Sequence, residues 1–165
     1  MVNRRLLLAG MGACAVMAPA ARADDVIDLR WPDLVPEGQI VLPPMLQDLI
    51  DHDQPPLSSQ QPPSSGVRTD WNGQIVRLPG FIVPIDYSGS GVTAFILVPF
   101  VGACVHVPPP PANQLVFVTT QTPYESAGLF EPVSVTGMFG VSEISTHLAD
   151  VGYTMAADRI ETHQL

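Results

Sequence analysis

From Val67 onward, apolar and polar positions alternate with the period of two that marks half-buried strands. Asp70-Trp71-Asn72-Gly73 is a turn signal, and it leads into a long first strand, Gln74–Ile85. A bulge or bend is expected where Pro79-Gly80 interrupts that strand. Thr93–Val98 is a second strand. Gln114–Thr119 is a third, with Leu115, Phe117 and Thr119 on one face and Val116, Val118 and Thr120 on the other. Pro132–Phe139 is a fourth, in which Val133, Val135 and Gly137 alternate with Ser134, Thr136 and Met138. Tyr153–Glu161 is a fifth. Between the last two, Ser142–Asp150 reads as a helix, with Ser142 as its N-cap and Gly152 as its stop. Five strands, the first one curved, with short helices, predict a mainly β fold: a small barrel of the oligonucleotide/oligosaccharide-binding (OB) type. An open sandwich is the competing architecture.

Upstream of that domain, assigned to residues 67–165, the pattern changes. Residues 24–66 read as an extended arm. Trp31-Pro32 and Val35-Pro36 disfavour helix at the residue before each proline. Pro43–Asp51 reads as a short helix with Met45, Leu46, Leu49 and Ile50 on one face. Residues 53–66, rich in Pro, Ser and Gln, read as a flexible connector that cannot bury enough apolar surface to offset its ordering entropy. Residues 1–23 read as a secretory signal: Arg4 and Arg5, an apolar stretch Leu6–Met17, then Ala21-Arg22-Ala23 as a small-x-small cleavage pattern. Asn3-Arg4-Arg5-Leu6 also has a twin-arginine look. The expected location is the periplasm after cleavage behind Ala23. The alternative is a lipid anchor through Cys14, following Met11-Gly12-Ala13. After the first 25 residues no stretch is long and apolar enough to cross a bilayer as a helix, so the chain is not expected to be an integral membrane protein.

Charge narrows the partners. All seven basic residues are arginines, set against sixteen acids. Removing residues 1–23 takes three arginines and no acid, which leaves four against sixteen and a formal charge of −12. Nucleic acid is therefore excluded as an expected partner, because phosphate binding depends on basic side chains. Cys14 leaves with the signal, so Cys104 is the single cysteine of the exported form and has no internal disulfide partner. No phosphate-binding glycine loop, Ser-His-Asp pattern or paired-carboxylate spacing is present.

The segment Phe95–Gln114 is unlike the rest. If Cys104-Val105-His106 is extended, Cys104 and His106 project from one face, roughly 6.6 Å apart at Cα. A thiolate and an imidazole so placed can converge on zinc or Cu(I). Pro108, Pro109, Pro110 and Pro111 follow, fixing φ and stiffening the chain, and Asn113 and Gln114 can bond backbone groups at the end of that run. Three readings stay open: structural burial of Cys104, soft-metal binding by Cys104 and His106, and thiol catalysis. A metal would need a further ligand, for which His147 or Glu143, one turn apart on the expected helix, are the candidates. His52 and His163 read as solvated surface residues. Catalysis would need a depressed thiol pKa, and the proline run argues against a helix N-terminus there to supply it.

At Leu78–Ile85, Phe95–Phe100 and Gly102–Gln114, the last reading Gly-Ala-Cys-Val-His-Val-Pro-Pro-Pro-Pro-Ala-Asn-Gln, the chain resembles the bacterial family DUF3299, over about Val67 to Glu161. The resemblance implies an exported or lipid-anchored cell-envelope protein with an OB-like barrel. It also implies an association with an ABC transporter in settings of zinc limitation. Together these lead to an expected non-enzymatic periplasmic accessory or binding protein with zinc as its cofactor. In that reading Cys104 and His106 are ligands, Pro108 to Pro111 hold their geometry, and Asn113 and Gln114 support them from behind. The alternatives are a metal-free interaction module of the envelope and a Cys/His thiol enzyme.

Overall fold

The computed structural model describes residues 26–37 and 57–163. Residues 1–23, expected to be a secretory signal and including Cys14, the helix expected at Pro43–Asp51, and His52 lie outside the described residues.

The strands are β1 (Ile27–Asp28), β2 (Ile75–Ser88), β3 (Gly91–Val98), β4 (Val116–Tyr124), β5 (Pro132–Ser145) and β6 (Asp150–Thr162). They form one sheet in the order β1-β2-β3-β4-β6-β5, and a second pairing, β2 with β5, closes β2 to β6 into a five-stranded barrel. β4 and β6 run parallel, whereas β2–β3, β3–β4, β5–β6 and β2–β5 are antiparallel. The closed barrel is the predicted architecture, and the open sandwich is not formed. Helical structure among the described residues is limited to three 3₁₀ turns, Trp31–Leu34, Leu57–Gln60 and Ala112–Gln114.

Closure depends on β2 serving two neighbours. Ile75 to Phe81 pair with β5, and Phe81 to Ser88 pair with β3, so Phe81 is the residue at which the strand changes partner. Gly80 stands at that bend because a Cβ there would lie 2.8 Å from the Val98 carbonyl oxygen. The register stays regular through Pro79-Gly80; the irregularities of β2 fall later, around Asp86. Inside the barrel, alternate residues such as Leu78, Phe95, Leu97, Val116, Val135 and Tyr153 are fully buried. Each such side chain contributes on the order of 1.5–3 kcal/mol of apolar transfer.

Two expectations are corrected. Ser142–Asp150 is not a helix: β5 runs to Ser145, a tight turn follows in which the Thr146 hydroxyl accepts from the amides of Leu148 and Ala149, and β6 begins at Asp150. Ile144 pairs with Val151 across this hairpin, so strand pairing overrides the local capping signals. Gly152 answers a close approach, not a helix stop, since a Cβ would lie 2.8 Å from Val67 Cγ1 and 3.0 Å from the Ala112 carbonyl oxygen.

The second concerns the arm, whose described parts are packed rather than free. β1 pairs in parallel with β2, Leu34 is completely buried, and the Trp31 indole N–H donates to the Pro79 carbonyl at 2.8 Å. Downstream, Gln61 donates to the carbonyls of Pro110 and Asp150 and accepts from the Asp150 amide, each at 2.8 Å. Polar side chains thus hold a segment whose composition gives no apolar reason for it to stay.

Candidate functional site

The outward positions of the barrel carry a second apolar cluster. Val83 of β2, Ile96 and Val98 of β3, and Leu115 just before β4 face away from the barrel interior, and all are buried. They are covered by the β3–β4 connection, residues 99–115, through Ala103 and Cys104. The Pro108-Pro109-Pro110 run is buried as well, so it is a strut and not an exposed polyproline rim.

The geometry of this connection follows from one carbonyl. Gly102 has φ +98°, a left-handed value that favours glycine. Its oxygen accepts from the amides of Val105, His106 and Val107 at 3.3, 2.8 and 3.2 Å. Cys104, inside the turn, is also left-handed, with φ +66°. The Cys104–His106 stretch is therefore a tight turn, not the extended backbone that would put both side chains on one face. Cys104 is 3% exposed and packs among aliphatic groups. Burial pushes its thiol up to about 12. His106 is exposed, with its ring 6.0 Å from that of Phe130 on the β4–β5 connection.

These residues do not fit a zinc site in this conformation. Zinc needs a thiolate and further nitrogen, sulfur or oxygen donors within about 2.0–2.3 Å. Here the sulfur is turned into an aliphatic cluster and the imidazole outward. Among the described residues, no three His, Cys, Asp or Glu side chains are grouped so that they could hold a metal ion. Glu143 is exposed on β5, and His147 is exposed in the β5–β6 turn instead of one helical turn away. His163 accepts from or donates to the Ser134 hydroxyl at 3.0 Å, according to its tautomer.

Asn113 and Gln114 are 2% and 3% exposed, which makes their bonds structurally costly to lose. The Asn113 amide donates to the Ser65 hydroxyl at 3.1 Å and the Gly66 carbonyl at 2.9 Å. The Gln114 amide donates to the Trp31 carbonyl at 2.9 Å and to the Asn113 carbonyl at 3.0 Å. They tie both described parts of the arm to the end of the proline run. Sequence reasoning missed Phe130 of the β4–β5 connection, whose ring lies 6.0 Å from that of His106. Phe130 at φ +61° is a second non-glycine residue in the left-handed region, and no local pattern announces it.

The class defined by this geometry is an OB barrel whose own loop covers the outer face of its second and third barrel strands, here β3 and β4. In OB proteins at large that face binds oligonucleotides or oligosaccharides. The chain matches, over residues 31–162, the family described as "Protein of unknown function (DUF3299)", and it belongs to that family. It is also similar to a DUF3299 family protein of Pseudomonas aeruginosa PAO1 known from a crystal structure. The two are 37% identical, with a TM-score of 0.72 over 85% of this chain and 97% of the other. No protein of curated function matches.

Proposed function

We propose that this chain is a non-enzymatic, metal-free interaction protein of the bacterial cell envelope, exported to the periplasm and cleaved after Ala23. One observation carries the reading: the family's distinctive loop buries Cys104 and turns apolar groups outward. A thiol pushed up to about 12 supplies almost no thiolate at neutral pH, and the thiolate is the form that attacks a substrate. What the loop offers to solvent is Val101, 60% exposed, next to Phe100, and His106 next to Phe130. We read this edge, with Val101 exposed beside the half-buried Phe100, as the contact surface. The exported location rests on the pattern of residues 1–23, with the Cys14 anchor as its variant. The partner that the family resemblance favours is a periplasmic part of an ABC transporter.

Two measurements test this. Zinc titration of the wild-type chain beside Cys104→Ser and His106→Ala is expected to give equal, weak binding in all three. Stoichiometric binding lost in either variant would overturn the metal-free assignment and restore the zinc accessory reading. Photo-crosslinking in intact cells, with a photoreactive residue placed in turn at Tyr87, Val101, Leu129 and Asp158, is expected to trap an envelope protein from at least one position. Absence of any product from all four would remove the interaction reading.

A further inference from the structure

We infer that residues 57–66 of the arm are a latch on the loop 99–114, so that releasing them opens the outer face of the barrel and brings Cys104 into solvent. This goes beyond the interaction reading above and does not depend on it. Residues 99–114 belong to no strand of the barrel, and the bridge between Ala103 and Val107 is internal to them. What they lay on the barrel is apolar. Ala103 and Cys104 are buried beside Val83, Ile96 and Val98, and Phe100 and Val105 pack partly against the same cluster. Their polar ties lead elsewhere. Gln61 donates to the Pro110 carbonyl, Asn113 donates to the Ser65 hydroxyl and the Gly66 carbonyl, and Gln114 donates to the Trp31 carbonyl. Among the described residues, every hydrogen bond from this loop to another part of the chain therefore runs to the arm, and the barrel strands supply none.

Gln61 is the joint of this arrangement. Its side-chain amide also pairs with both backbone groups of Asp150, the first residue of β6, so one residue bridges loop and barrel through three bonds at 2.8 Å. Around it Pro62 to Gly66 are exposed, and a cavity of about 570 Å³ lies between this strap and the β5–β6 hairpin, walled there by Glu143, Ser145 and Asp150. The strap thus spans a gap instead of packing on a surface. Hydrogen bonds that face water, with no apolar burial behind them, belong to the low-stability end of a fold. On the loop itself, Cys104 is held at φ +66°, a conformation that persists only where the surroundings over-determine it. Gln61 belongs to neither apolar cluster of the barrel. Losing it frees the Pro110 carbonyl and the Asp150 backbone, and so opens the loop without unfolding the strands.

The test follows iodoacetamide labelling of native Cys104 in the purified full chain, read on the Cys104 peptide by mass spectrometry so that Cys14 does not interfere. Labelling is expected to be about tenfold faster in Gln61→Ala and Gln61→Glu than in the wild type, the scale set by losing a hydrogen bond to backbone. Glu keeps the length and the acceptor toward the Asp150 amide but cannot make either donation, so it separates the latch from mere space filling. In both variants the rate is expected to stay flat with urea below the unfolding transition, the mark of a local opening. Gln74→Ala removes a bond of the same kind, to the Asp70 carbonyl and away from the loop, and should label as the wild type does. Equal rates in the wild type and both Gln61 variants would overturn the inference. So would equal acceleration by Gln74→Ala, or a rate that climbs with urea in step with global unfolding. Loss of the fold in both Gln61 variants, checked by circular dichroism, would overturn it as well, because the strap would then hold up the barrel and not the loop.

Discussion

The Tyr153 hydroxyl donates to the Leu34 carbonyl at 2.8 Å, and it also accepts from the Arg68 amide at 2.7 Å. A single phenol on the last strand, itself completely buried, thereby fixes backbone from both sides of the arm. Tyr153→Phe keeps the ring contact with Phe139 at 5.0 Å and removes only the oxygen. That leaves a carbonyl and an amide unpartnered, a cost of about 1–3 kcal/mol. Urea unfolding is expected to show a lower midpoint with an unchanged m-value. An unchanged midpoint would mean that the arm is not coupled to the barrel.

Cys104 gives a pH-dependent prediction. Its folded pKa lies above the unfolded value, because burial penalises the thiolate. Above about pH 8.5 the unfolded chain gives up the proton and the folded chain keeps it. Stability contributed by the group is therefore complete below that pH and declines toward about pH 12, with a slope of up to about 1.4 kcal/mol per pH unit. Tyr153 and Tyr124 are also raised, chiefly by burial, and add the same sign at higher pH. The difference between wild type and Cys104→Ala isolates the cysteine. It should shrink as pH rises from 8.5 to 10, and iodoacetamide should label the native thiol far more slowly than the urea-unfolded one. Rapid native labelling at neutral pH would revive thiol chemistry.

What was legible in the sequence divides along a physical line. The barrel was, because period-two alternation in the strands reports which side chains face inside, and that pattern survives in Leu78, Val116 and Val135. The hairpin at Ser145–Asp150 was not: Ser142 and Gly152 mimic helix caps, and only the pairing of Ile144 with Val151, a tertiary fact, decides otherwise. The Cys104–His106 spacing misled for a similar reason. Two residues apart means one face only on extended backbone, and three amides converging on the Gly102 carbonyl turn it into something else. Asn113 and Gln114 were legible as tethers, yet their targets, Gly66 and Trp31, lie in a segment that composition alone reads as loose.

Gly80 tests the closure of the barrel. A methyl group there meets the Val98 carbonyl at 2.8 Å and the Leu97 side chain at 2.9 Å, and backbone cannot yield as a flexible side-chain tip does. Gly80→Ala is expected to destabilise by about 1–3 kcal/mol, the range for forced overpacking. Gly73→Ala is a useful counterpart. It has no neighbour within 4 Å but φ +77°, so its cost is backbone strain alone, about 1 kcal/mol. Equal, negligible effects of the two would show that β2 does not need the close approach at its bend.

Single-stranded oligonucleotides are the ligands that an OB barrel most readily suggests, and this one should refuse them. Stacking requires open aromatic groups on the second and third barrel strands, and a phosphate backbone requires cations to track along. Here the outward residues of β3, Ile96 and Val98, are completely buried beneath the Cys104 loop, and every described arginine already faces a carboxylate. Anisotropy of a labelled oligothymidine is expected to stay flat at low salt, where electrostatic attraction is at its strongest. Saturable binding in the micromolar range would mean that the loop lifts from the face it covers, and with it the burial of Cys104 on which the functional reading rests.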